Sequence, residues 1–369
     1  MSVRFGELCE HPIVQAPMAG GASGPALAAA VSNAGGLGFL AAGYKTAAHM
    51  RREIDETRAL TSRPFGVNLF VPSLDPVDAG AVAAYRDRLA PEAARLGVAL
   101  GEPAGGDDDW DAKVADLLTD PPAVVSFTFG CPGADVITAL RDRGALVVVT
   151  VTSVAEASAA SDADALCVQG PEAGAHQGSF DNTARLSDPS RAEAAGADRI
   201  AADAVRGGTG EKGGGEGPEG LRALLPAVRE VTDQPLIAAG GLGHGGHVAE
   251  VLALGAQAAQ LGTAFLRSLE SGANQVHKDA LADPRFSATA LTRAFSGRPA
   301  RGLVNRFLAL HSAYAPAAYP HVNDLTSPLR RAAAAKGDAD TVALWAGTSF
   351  RLASEAPAAE IVARFVAAG

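Results

Sequence analysis

Eight short apolar runs, set between stretches of helical character, limit what this chain can fold into more than any other feature. They are IVQA (13–16), LGFL (37–40), FGVNLF (65–70), AVVSF (123–127), LVVVTV (146–151), ALCV (165–168), PLIAA (235–239) and AAQLG (258–262). They do not alternate apolar with polar residues as half-exposed strands do, so they read as strands buried on both faces, the habit of parallel sheets covered by helices. Segments such as GPALAAAVSNAG and HGGHVAEVLALG lie between them, several opening at Ser, Thr or Gly and closing at Gly, as helices do. Eight such units in about 265 residues, joined by right-handed crossovers, match an α/β fold of the (β/α)8 (TIM) barrel type. A doubly wound open sheet is the rival; the strand count and the placement of the glycine motifs favour the barrel.

Some stretches exceed what a barrel needs. Residues 74–120 are too long for one connection, and residues 264–369 follow the eighth strand as a mostly helical tail. These two are expected to pack together as a smaller cap domain over the C-terminal face, leaving 1–73 and 121–263 as the barrel. A third excess, residues 183–217, joins an amphipathic segment to GGTGEKGGGEG and reads as a flexible surface insertion, with a lid as the sharper alternative.

Composition narrows function by exclusion. The formal net charge is −10, with no lysine or arginine cluster able to follow a phosphate backbone, so nucleic acid is not an expected partner. No apolar run is long enough to span a membrane and no secretory pattern opens the chain, so a cytoplasmic globular protein is expected. Three widely spaced cysteines suit neither a disulfide framework nor a zinc site. His244 and His247 form H-x-x-H without a third ligand nearby, so no metal is expected. With 42 glycines and 5% aromatic residues, close backbone approach to a small molecule is easier to build than a stacking surface. A homodimer is left open.

In such a barrel the chemistry sits in the loops after the strands, with phosphate held after strands seven and eight. Those loops are AAGGLGHGG (238–246) and QLGTAFLRS (260–268). Gly240 and Gly241 bare their amides, and Gly262 and Thr263 add further amides and a hydroxyl, which together suit a phosphate dianion. Gly241, Gly243 and Gly246 also satisfy G-x-G-x-x-G, but no acid follows at the spacing a dinucleotide site needs. Pro17 and Met18, at the end of the first strand, can form an apolar shelf for a planar ring such as isoalloxazine. Asn68 and Gln169 bring amides toward the same mouth, for a polar ring edge or ribityl hydroxyls. His176, in QGPEAGAHQG after the sixth strand, suits a base that takes a proton from carbon, or a neutral donor that orients an anion. Glu172 beside it reads as a brace bonded to backbone.

The segments PIVQAPMAGG, RPFGVNLF, VVSFTFGCP, QGPEAGAHQGSF, PLIAAGGLG, AQLGTAFL, TRAFSGRPARGLVNRF and AYPHVNDLTSPLRRAA…LWAG resemble the nitronate monooxygenases, class I enzymes in particular. The resemblance spans nearly the whole chain. It implies an FMN-containing barrel with a helical cap that oxidises alkyl nitronates with dioxygen to a carbonyl compound and nitrite, without NAD(P)H, with nitroalkanes left open as further substrates. Carried over by position, the FMN contacts are Ala16, Pro17, Met18, Asn68, Gln169, Gly174, Gly240, Gly241, Gln260, Leu261, Gly262 and Thr263. His176 matches the active-site histidine, which deprotonates a neutral nitroalkane or positions the nitronate. Two features depart from the family: Ala175 replaces a second glycine, and 183–217 stands where the chain should pass directly to the seventh unit. The alternatives are an FMN-dependent NAD(P)H reductase of quinones or enoyl thioesters, a biosynthetic flavin monooxygenase acting on another acidic-carbon substrate, and a flavin-binding sensor without turnover.

Overall fold

The computed structural model describes residues 5–73, 75–183 and 220–367; the expected insertion at 183–217 lies, beyond Thr183, outside the described residues. The chain runs β1 (Ile13–Gln15), α1 (Pro25–Asn33), β2 (Gly38–Ala41), α2 (Ala47–Leu60), β3 (Phe65–Phe70), α3 (Ala79–Leu96), α4 (Trp110–Thr119) and β4 (Val124–Thr128). It continues with α5 (Ala134–Asp142), β5 (Leu146–Val151), α6 (Val154–Ala159), β6 (Ala165–Gln169), β7 (Ala175–His176) and α7 (Leu221–Arg229). Then follow β8 (Leu236–Ala239), α8 (Gly245–Ala253), β9 (Ala258–Leu261), α9 (Thr263–Leu266) and α10 (Gln275–Ala282). The last described elements are β10 (Thr289–Thr292), β11 (Ala300–Leu303), α11 (Arg306–His311), α12 (His321–Ala335) and α13 (Ala358–Ala367).

All eight apolar runs form strands, paired in parallel in the order β1-β9-β8-β6-β5-β4-β3-β2. The ring closes where Val14 bridges Leu37, through Gln15 N–H to Leu37 O and Leu37 N–H to Ile13 O, both 2.9 Å. The result is a (β/α)8 barrel. Strand residues divide by parity: Val14, Phe39, Leu146, Val148, Cys167 and Ile237 pack with one another inside the barrel, while Val147, Val149, Leu166 and Val168 pack outward against helix residues such as Leu27, Ile54 and Ile137. Two buried faces per strand explain why the runs do not alternate. Gly38 lets α1 lie directly on β2, because a Cβ there would stand 2.0 Å from the Ala28 carbonyl oxygen.

The helices α4 and α13 belong to the outer ring. Leu117 of α4, and Ile361, Val362 and Phe365 of α13, join the core between strands and helices. Arg51 of α2 reaches Asp116 of α4 at 2.8 Å. A second apolar cluster, with Tyr85, Leu89, Phe295, Phe307, Leu325 and Leu329, joins α3, α11 and α12 with the segments between them. The tail is less helical than expected. β10 and β11 form an antiparallel hairpin, and β7 adds to its far side with Ala300 opposite His176 and Arg301 opposite Ala175. These strands are four residues or fewer, and TALT and ARGL lack the continuous apolar character that marked the barrel strands. Among the described residues no helix is long and apolar enough to cross a membrane.

Candidate active site

Parallel strands deliver all their C-terminal ends to one rim, and the thirteen residues singled out above line one cavity of about 520 Å³ there. Ala16, Pro17 and Met18 come from the loop after β1, Asn68 from β3, and Gln169 from the end of β6. Gly174 precedes β7, which carries His176; Gly240 and Gly241 follow β8, while Gln260 and Leu261 end β9 and lead into Gly262 and Thr263. The Met18 loop is held by Ser23, whose Oγ accepts the Met18 N–H at 2.8 Å and the Gln15 side-chain amide at 2.7 Å.

The polar groups differ in how free they are. Asn68 Nδ2 donates to Ser126 Oγ (2.9 Å) and Thr128 Oγ1 (3.0 Å), which leaves its Oδ1 as an acceptor on the cavity wall. Gln169, by contrast, is engaged at both ends: Nε2 donates to His176 O at 3.2 Å and Oε1 accepts Gly178 N–H at 2.7 Å. Its amide clamps the histidine strand. Glu172 is a brace, both carboxylate oxygens accepting Leu221 N–H at 3.1 Å, at the start of α7.

At the glycine-rich end, Gly240 and Gly241 have φ of +119° and +68°, and a Cβ on Gly241 would stand 2.9 Å from Glu172 Cβ and 3.2 Å from Thr348 Oγ1. The segment 346–349 forms a further wall that sequence reasoning missed. Gly347 N–H donates to Thr263 Oγ1 at 3.0 Å and Ser349 Oγ donates to Gly241 O at 2.6 Å. The glycine that closes the LWAG motif, followed directly by two hydroxyl residues, was the available signal. Close-set glycine backbone and a hydroxyl at one end, with the Ala16–Met18 shelf and the Asn68 acceptor beside them, fit a flavin bearing a terminal phosphate.

His176 stands on the edge of the hairpin, after Ala175 at φ +62°. Its Nε2 lies 2.9 Å from Ser296 Oγ, which also lies 3.3 Å from the Arg298 carbonyl oxygen. Phe129, Tyr319 and Trp345 surround the ring at centroid distances of 5.7, 6.0 and 5.6 Å. Arg298 is 0% exposed; its guanidinium lies 3.9 Å over the Phe129 ring, Nη2 donates to Ser179 O at 2.5 Å, and Nε and Nη1 have no hydrogen-bond partner among the described residues. Burial, followed by repulsion from Arg298 and Arg330, pushes the His176 imidazole down to about 3. It is neutral at physiological pH. His277, another cavity residue, is pushed down to about 4 by burial, with Nε2 2.8 Å from the Trp345 carbonyl oxygen. Ser296, Arg298 and Trp345 come from the region read as a helical tail, where a lone serine or arginine carries no chemical signal of its own.

A family model described as Nitronate monooxygenase matches residues 4–190 and 182–368. The chain is 39% identical over 366 residues to a nitronate monooxygenase of Paraburkholderia phytofirmans, spanning 96% of this chain and 91% of that one. It is likewise 39% identical over 381 residues to one of Pseudomonas aeruginosa, spanning 99% of each. Among solved structures, a nitroalkane oxidase from Streptomyces ansochromogenes matches with TM-score 0.86 and 54% identity over 98% of this chain and 96% of that one. FabK from Thermotoga maritima matches with TM-score 0.69 and 26% identity over 100% and 96%. With family motifs distributed over barrel, cavity and hairpin alike, the chain belongs to the nitronate monooxygenase family.

Proposed function

We propose that the protein is an FMN-dependent nitronate monooxygenase that oxidises alkyl nitronates with dioxygen to a carbonyl compound and nitrite, without NAD(P)H. The observation that carries this reading is His176, held by Ser296 and in the field of Arg298 and Arg330, on the same cavity as the glycine backbone of 240–241 and 262 and the Thr263 hydroxyl. FMN, when bound, supplies the electron transfer from substrate and to dioxygen. The amides of Gly241, Gly262 and Thr263 and the Thr263 hydroxyl would hold its phosphate, Ala16–Met18 would support the ring, and Asn68 Oδ1 would accept from a ring N–H.

With the Ser296 hydroxyl donating to Arg298 O, its oxygen accepts from His176 Nε2–H, and Nδ1 carries the lone pair. An imidazole that protonates only near pH 3 has little drive to remove a proton from carbon at neutral pH. The field of Arg298 and Arg330 attracts an anion instead. Both effects favour pre-formed nitronate over neutral nitroalkane; with its one N–H held by Ser296, His176 shapes the wall beside the anion while the two guanidinium groups draw the anion in. A second reading, direct use of neutral nitroalkanes, is supported by the likeness to the Streptomyces nitroalkane oxidase.

The test is anaerobic mixing of the flavin-loaded protein with propionate 3-nitronate and, separately, with NADH and NADPH. A flavin absorbance change with nitronate alone, and nitrite once air is admitted, is the expected result. Bleaching by a nicotinamide alone would instead assign a reductase.

A further inference from the structure

The loop after β2 and the stretch before α4 meet in an arrangement that flavin binding does not require. Tyr44 lines the cavity with φ of +65°, a conformation costly for a residue with a Cβ. Its N–H donates to Asp108 Oδ1 at 2.8 Å. Asp108 Oδ2 lies 2.8 Å from the ammonium of Lys113, a residue of α4 only 1% exposed. This is an ion pair without an aligned hydrogen bond, and it is the Lys113 ammonium's sole ion pair among the described residues. Asp108 and Asp109 are themselves left-handed, both at φ +60°, and Asp109 accepts the Ala47 N–H at 2.6 Å. The same stretch is tied to α12, where Gly105 N–H donates to Asp324 Oδ2 at 3.0 Å and Gly101 N–H to Leu325 O at 3.1 Å.

From this anchor the contacts lead to the histidine. The Tyr44 ring stands edge-on to that of Tyr319 at 6.4 Å, and it packs edge-on to Phe70 at 5.6 Å. Tyr319 stands edge-on to His176 at 6.0 Å and to Phe129 at 5.5 Å. An ion pair on a buried lysine is weak as a source of stability, since apolar residues of the same volume serve as well or better. Its value lies in fixing one geometry.

We propose that Asp108 is a positioning residue: paired with buried Lys113, it pins Tyr44 in its left-handed conformation and thereby sets, through Tyr319, the wall beside His176 and the room left for the substrate's carbon chain. The substrate side of this proposal rests on the nitronate reading; the anchor itself does not.

Two double variants of the flavin-loaded protein separate positioning from stability. Asp108→Asn/Lys113→Met and Asp108→Ala/Lys113→Met both delete the buried charges, but only the first keeps an acceptor for Tyr44 N–H. The measurements are amide hydrogen exchange over residues 42–47 and steady-state kinetics with the nitronates of nitroethane and 1-nitrohexane. The Asn double should keep parental exchange protection and KM values within about twofold. The Ala double should exchange about tenfold faster there and show a KM for the short nitronate raised about tenfold, with kcat little changed and weaker discrimination between the two chain lengths. Identical behaviour of the two doubles overturns the proposal, as does faster exchange without any change in KM or selectivity. If the parent oxidises neither nitronate, the functional reading fails, and the exchange comparison alone decides whether Asp108 holds Tyr44.

Discussion

His176 sits in an environment that denies it a proton. Because its proton affinity is depressed to about 3, kcat/KM for a nitronate should show no inflection from this residue between pH 5 and 9, and a fall only as pH approaches 3; a pH–rate profile checks this. On the proposed reading, His176→Asn should keep the flavin bound and lower kcat/KM for nitronates by about 10–100-fold. A much larger loss on neutral nitroalkanes than on nitronates would make the histidine a base. The neighbouring Ala175 stands at φ +62°, a conformation in which its Cβ is strained. Ala175→Gly should therefore raise stability by up to about 1 kcal/mol in denaturant melts, part of the relief being offset by the greater freedom of glycine in the unfolded chain. At this scale the convergence of the glycines, Met18, Asn68 and His176 on one cavity was legible because each lies in the C-terminal half of a strand or in the loop just beyond it, where the fold assigns it a place. Ser296 and Arg298 were not, because what makes them matter is a hairpin that brings them beside the histidine.

The short strand β7 shows how elements rather than residues build the site. It is tied to β6 by Gln169 and to β11 by the Ala300–His176 and Arg301–Ala175 pairs. β11 is the central strand of its sheet, and Leu303 N–H donates from it to Leu344 O at 2.8 Å, so Leu303→Pro removes that donor and should cost about 1–3 kcal/mol or more. Thermal melts should show that loss together with a greater fall in turnover than in flavin content. The barrel strands were legible because burial on two faces imposes an uninterrupted apolar run. The hairpin escaped notice because its strands lack a continuous apolar run and one carries Arg301, whose Nε donates to Pro171 O at 2.7 Å inside the protein. A buried arginine with a carbonyl partner looks, in sequence, like an exposed one.

Across the whole molecule, acid should be the chief threat to stability. His277 protonates in the folded protein only near pH 4, so the unfolded chain takes up the proton first as pH falls below the ordinary imidazole value of 6.5. Its contribution is complete above that value and is lost by about pH 4, an effect of order 3 kcal/mol at most. Glu92 is held down to about 2, chiefly by Arg306, whose two terminal nitrogens donate at 2.7 and 2.6 Å; its contribution persists above the ordinary carboxyl range and is lost between there and pH 2. The two windows succeed each other in the same direction. Denaturant melts from pH 7 to 4 should show a declining unfolding free energy, and His277→Gln should flatten the upper part of that decline. Strand count and order followed from the spacing of apolar runs, but the seat of α13 did not, because a long excursion separates it from β9. That excursion bears on how the protein is made. Helix α13 closes the gap between α1 and α8, yet leaves the ribosome on the order of a hundred residues after β9, a wait of roughly 5–20 s at ordinary elongation rates. Through that interval the nascent barrel holds an unfilled apolar seam, which makes it a natural client for chaperones that shield such surfaces during translation.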